Sequence, residues 1–180
     1  MGREVVRPGG AADLDPLAIT VDVRELGISG YQAVEWLRAE RHVDLGSGDT
    51  FRVNARLTHA DDDDTQARLV EGMKALVDAA PNMERPLAVA MPAPPRFELK
   101  TAMLPRDAFF GRVEQIPVEQ AAGRIAAELV SPYPPGVPVV APGEPLDAEV
   151  LNYLVTGVQA GMLIPDAADP TLRTVRVVAD

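Results

Sequence analysis

The chain is expected to be an α+β protein of two subdomains, each a small mixed sheet packed on amphipathic helices. Three observations predict this. Short segments alternate apolar and polar residues with the period of a half-buried strand, and longer ones repeat apolar residues with the period of a helix. In addition, 17 prolines and an aromatic content of 4% in 180 residues call for many fixed turns around a core of Ala, Val, Leu and Ile.

Residues 1–15 contain Pro8, Gly9 and Gly10 and no period, so they read as a linker. Ile19, Val21 and Val23 then alternate with Thr20 and Asp22 as a strand would, and Gly27 to Gly30 break the pattern. Ser29 and Gln32 have the spacing of a capping box, opening a helix that carries Tyr31, Val34 and Leu37 on one face to about His42. A second strand is predicted over Phe51 to Leu57, with Phe51, Val53, Ala55 and Leu57 on one side. A second helix should follow the acidic run Asp61 to Asp64, striped by Leu69, Val70, Met73, Leu76 and Val77. Leu87 to Met91 is expected as a third strand, ended by Pro92, Pro94 and Pro95.

That proline cluster divides the chain into a small α/β subdomain over 16–91 and a second subdomain over 92–180. In the second, Pro117 is expected to open a helix lined by Val118, Ala121, Ala122, Ile125 and Leu129 and ended by Pro132. Another helix should start at Pro145, with Asp147 and Glu149 in its first turn, Leu146, Val150, Leu151, Leu154 and Val158 on its apolar face, and Gly161 at its end. The β-branched run Thr174 to Val178 predicts a last strand.

Composition excludes several function classes. The chain has no cysteine, hence no disulfide framework, thiolate zinc site or cysteine nucleophile. A net charge of −10 disfavours nucleic acid and anionic membranes as partners and suits cationic small molecules. No apolar run approaches the roughly 20 residues of a membrane span, and the start lacks the pattern of a signal peptide, so a cytoplasmic location is expected. Asp61 to Asp64 lack the alternating ligands and glycine of a calcium loop and read as helix-start charge, so no metal site is expected. His42 and His59 have no partner at a catalytic spacing.

The most specific string is GRIAAELVSPYPPGVPVVAPGE, residues 123–144. It resembles the C-terminal domain signature of the bacterial ornithine/lysine/arginine decarboxylases of the aspartate-aminotransferase-like fold. Asp15-Pro16-Leu17 and Leu26-Gly27-Ile28 resemble the start of that family's small domain, so the resemblance covers most of residues 15–178. It implies a dimeric enzyme that removes the α-carboxylate of a basic amino acid with pyridoxal phosphate as electron sink. The family's Schiff-base lysine follows a histidine in a large domain; Lys74 and Lys100, the lysines here, do not, and both read as solvated charge. No phosphate-cradling glycine loop is present either. The expectation is therefore a fragment that holds neither cofactor nor catalytic residues. It would pair with a large cofactor-binding domain, and would self-associate through the surface left bare.

Three residues are candidates for substrate contact. Tyr133 is held between Pro132 and Pro134 and matches a tyrosine at the family's active-site entrance; the alternative is a buried ring whose hydroxyl bonds to backbone. Glu144 offers a carboxylate to a cationic substrate or favours the start of the helix at Pro145. Glu25 lies where long-chain family members place an acidic recognition residue, or is solvated charge at a strand end. Arg124 is expected to pair with Glu128 at helical spacing. Two other readings make the chain a non-catalytic module presenting Pro132 to Pro138 as a polyproline ligand, or a scaffold for a separately encoded cofactor domain.

Overall fold

A computed structural model describes residues 15–93 and 99–179. The expected linker over residues 1–15 thus lies, apart from Asp15, outside the described residues, as do Pro94 and Pro95. The chain divides into two compact units after Met83.

The first unit is a three-stranded antiparallel sheet with two helices. Strands β1 (Ala18–Asp22) and β2 (Ser47–Gly48) flank β3 (Arg52–Arg56), giving the order β1-β3-β2. The register sets Val21 opposite Val53 and Thr20 opposite Asn54, where the threonine hydroxyl donates to Asn54 Oδ1 at 2.8 Å. Helix α1 (Gly30–Arg41) starts on the predicted capping box: Ser29 Oγ accepts from the Gln32 N–H, and Gln32 Oε1 from the Ser29 N–H. His42, at φ 53°, turns the chain out of the helix. Helix α2 (Asp63–Ala79) is capped by Asp62, with Asp63 and Asp64 in its first turn, so the acidic run serves the helix dipole as expected. Val23, Ala33, Leu37, Val53 and Leu76 form the core, each at most 2% exposed. The predicted order of strand, helix, strand, helix is borne out, with the two-residue β2 added.

The second unit departs further from expectation. Leu87 to Met91 has extended or irregular backbone and is not a strand. Helix α3 (Pro105–Phe110) and strand β4 (Val113–Pro117) precede a single 3-10 turn at Val118–Gln120. The helix expected after Pro117 is absent. Its apolar spacing is real, but Gly123 takes φ +83°, and Ala126, Ala127, Glu128, Val130 and Ser131 are all buried with Leu129 alone exposed among them, which an amphipathic helix with one solvent face would not give. Its polar backbone is satisfied by extended neighbours instead: Ala126 N–H reaches Glu144 O, Ala127 N–H reaches Arg176 O, and Val130 N–H reaches Val140 O. Pairing with distant strands overrides helical period here.

Helix α4 (Ala148–Gln159) begins three residues after Pro145, because Asp147 Oδ1 accepts from the Glu149 and Val150 N–H groups and fixes the cap there. Gly161, at φ +104°, follows its end. Strand β5 (Thr174–Val178) has the predicted bounds and pairs antiparallel with β4, Val113 opposite Val178. The α+β class is borne out, and every strand pair is antiparallel.

Candidate functional site

Residues 124–130 and 140–146 run antiparallel as an irregular ribbon, bridged at Ile125–Pro145 and Val130–Val140. The proline loop is the tip of that ribbon. Ser131 and Pro132 are buried at its base, so the stretch is not a free tail of the kind a polyproline ligand needs. Gly136 N–H closes the loop onto Pro132 O at 2.8 Å, and Tyr133-Pro134 and Pro134-Pro135 are cis.

Tyr133 donates its main-chain N–H to Leu163 O at 2.8 Å. Its ring stands 43% exposed, and its hydroxyl meets no partner among the described residues. The alternative of a buried ring with a bonded hydroxyl is therefore corrected: the backbone is tied down and the side chain is presented. Val137 and Leu163, each 62% exposed, add apolar surface. Beside Leu163 opens an apolar cavity of about 320 Å³ between Val158, Met162, Ile164 and Pro170.

Glu144 does not cap a helix, a correction to one of its two readings, since Asp147 fills that role. Its Oε2 accepts the Ala141 N–H at 2.8 Å and closes the turn after Pro142. Neighbouring Gly143, at φ +90°, is required there: a Cβ would sit 2.3 Å from the Met103 carbonyl oxygen. Because 126 meets 144 while 130 meets 140, Glu144 lies about four strand residues, or ~13 Å, below the base of the loop. The fold does not bring it to Tyr133.

Glu25 is in the other unit, exposed in a 3-10 turn at Arg24–Leu26. It helps line an open groove of about 940 Å³, together with Asp22 and Lys74. The remaining walls are apolar: Ile19, Val21 and Ala55 from the sheet, Val70, Met73 and Val77 from α2. Val70 and Val77 are half exposed there. The Arg24 guanidinium, bonded to Asp22, holds that carboxyl down at about 2.

Several residues that sequence reasoning missed hold the second unit's loops. Arg124 and Glu128 are not a helical pair, because four extended residues separate them by ~13 Å. Arg124 bonds to Glu114 and to Val178 O. Glu128 is 4% exposed and accepts the N–H groups of Ala168 and Arg176. Asp166 Oδ1 accepts the Ser131 N–H. Asp169 takes N–H and O–H bonds from Thr171 and Thr174, the Thr171 hydroxyl foremost, which hold its carboxyl at about 2. An aspartate two residues before a threonine, with proline between, is a turn signal that would have found Asp169; Glu128 gave none beyond a carboxylate in an apolar run.

The residues present do not fit pyridoxal phosphate. A Schiff-base lysine is activated by removal from water, and Lys74 and Lys100 are both exposed. Among the described residues no group of three His, Cys, Asp or Glu is placed to hold a metal ion.

The family model for the Orn/Lys/Arg decarboxylase C-terminal domain matches residues 88–166. Arginine decarboxylases of Bacillus anthracis and Bacillus subtilis are 33% and 31% identical, over 99% and 100% of this chain and 36% of each relative. The chain thus spans about a third of the length of the curated relatives it matches. The solved constitutive lysine decarboxylase of Escherichia coli shares the fold: TM-score 0.64 at 20% identity, over 92% of this chain and 32% of that one. The resemblance read from residues 123–144 is borne out, since those residues lie within the stretch that matches the Orn/Lys/Arg decarboxylase C-terminal domain. Among the described residues no helix is long and apolar enough to cross a membrane.

Proposed function

We propose that this chain serves a pyridoxal-phosphate-dependent decarboxylase of a basic amino acid by supplying substrate-entrance and dimer surfaces, while a large domain of the same enzyme holds the cofactor. The observation that carries this reading is Tyr133, whose backbone is fixed by prolines and by Leu163 while its hydroxyl is offered to solvent. The cofactor, when bound to that domain, takes up the electron pair left as carbon dioxide departs. Tyr133 contributes a directed hydrogen bond that orients the substrate or the group returning the proton. Glu25 offers an exposed carboxylate suited to the distal ammonium or guanidinium; Glu144, its carboxylate engaged by Ala141, is the weakest of the three. The apolar groove on the first unit supports packing on the large domain, since a patch of that character is rarely left bare.

Tyr133→Phe in the enzyme assembled with its cofactor-binding domain tests the reading. A hydroxyl acting in the transition state makes kcat and kcat/KM fall together by roughly ten- to a hundredfold, and one that only positions substrate raises KM. Stability should change by no more than about 0.5 kcal/mol, because the ring is exposed and its hydroxyl unpaired. Wild-type kinetics would remove Tyr133 from the site.

A further inference from the structure

Glu128 is the only buried carboxylate among the described residues, and its two oxygens bind to two different stretches of chain. In the antiparallel β4-β5 pair, alternate main-chain groups of β5 face away from β4. Residues 125–127 take up that side: Val178 N–H reaches Ile125 O, and Ala127 N–H reaches Arg176 O. At Glu128 the chain leaves β5, yet the side chain turns back and Oε1 accepts the Arg176 N–H at 2.6 Å. Oε2 accepts the Ala168 N–H at 2.7 Å. A carboxylate therefore stands where a strand's carbonyl would, and ties β5, the 163–168 return and the start of the Tyr133 loop to one point.

The same two stretches meet twice more. Ser131 N–H bonds to Asp166 Oδ1 at 3.0 Å, and Tyr133 N–H to Leu163 O at 2.8 Å. The sequence 128, 131, 133 thus runs against 168, 166, 163 as three rungs, and only the first is built on a buried, charge-assisted acceptor. Such an acceptor is stronger than a neutral one and costly to leave unpaired.

We propose that Glu128 is a positioning residue for Tyr133: its buried carboxylate sets the register of 128–133 against 163–168, and so fixes where the Tyr133 ring stands. The functional meaning rests on the reading of Tyr133 as a substrate contact. The positioning itself does not, and Tyr133→Phe kinetics judge that reading separately.

Glu128→Gln keeps the size of the side chain but turns one acceptor oxygen into an amide NH2 that faces a donor. The full chain is labelled with 3-fluorotyrosine and followed by amide exchange and fluorine NMR. The expected result is exchange at Ser131 and Tyr133 roughly 10- to 100-fold faster, with Val150 and Leu154 of α4 unchanged, and a displaced Tyr133 fluorine signal beside unmoved Tyr31 and Tyr153. Wild-type exchange and fluorine shift at Tyr133 overturn the proposal, as does acceleration by one common factor at all four amides, which marks a general loss of stability. Should the variant fail to fold, the unmodified chain decides. Protection of Ser131 and Tyr133 should lie within about tenfold of that of Ala168 and Arg176, and opening of the first pair independently of the second overturns the proposal.

Discussion

Gly30→Ala sets two effects of opposite sign against each other. Gly30 is the first residue of α1, where helix propensity alone favours alanine by up to about 1 kcal/mol. The packing says otherwise. A Cβ at Gly30 would lie 2.0 Å from the Arg52 carbonyl oxygen and 2.5 Å from that of Asp49, where real Cβ contacts essentially never fall below 3.0 Å. Both atoms are backbone, so the turn itself must retreat by roughly 1 Å, the kind of overpacking that costs ~1–3 kcal/mol. That turn is held by Asp49 N–H to Arg52 O at 2.8 Å and by Asp49 Oδ1, which accepts from Phe51 and Arg52 at 2.7 and 2.8 Å. Weakening two of these at about 1 kcal/mol each brings the net loss, after propensity, to about 2–4 kcal/mol. The single tryptophan, Trp36, sits on the same helix, so its fluorescence during urea unfolding reads this unit directly. Ala39→Gly, at an exposed position of α1, calibrates propensity and should cost about 1 kcal/mol. A Gly30→Ala chain as stable as the parent, or more so, would show the close approach to be slack and refute the reasoning.

Three further outcomes are expected. Asp147→Ala should cost about 0.5–2 kcal/mol in urea unfolding followed by circular dichroism, and Asp147→Asn much less, because an amide oxygen still caps α4; equal losses would argue against the cap. Asp169 has its folded pKa depressed to about 2 from 3.8, so its contribution is complete above pH ~4 and is lost as pH falls through about 2. Asp169→Asn should therefore shrink the fall in urea midpoint between pH 4 and pH 2 relative to the parent, and an unchanged fall would count against those bonds. Finally, borohydride treatment of the chain with pyridoxal phosphate should leave no stoichiometric adduct at Lys74 or Lys100, as neither is desolvated; a single-site adduct found by mass spectrometry would sink that argument.

Elements specified by their own neighbours were legible in the sequence. The Ser29–Gln32 box and the end near His42 gave α1, and a run of β-branched residues gave β5. What failed was specified elsewhere in the chain. Residues 118–131 carry a helical stripe, but their partners are Val140, Glu144 and Arg176, and burial of five of the six residues 126–131 favours extended pairing. Similarly, α3 and β4 leave little periodic trace: α3 is six residues long, and β4 is mostly exposed. At the site, paired prolines announced a fixed Tyr133 loop. They could not announce that Glu128 and Asp166 hold it, because those contacts span 35 to 48 positions.

The closure of β4 on β5 has a consequence for synthesis on the ribosome. Gln115 of β4 donates to Thr174 of β5 across 59 positions. At roughly 5–20 residues per second, β4 waits ~3–12 s before its partner has been translated, long compared with the microseconds in which local hairpins form. During that interval an unpaired strand is available to neighbouring nascent chains. The charges of Glu114 and the preceding Arg112, and the main-chain donor missing at Pro117, are the features that oppose such pairing until β5 has been made.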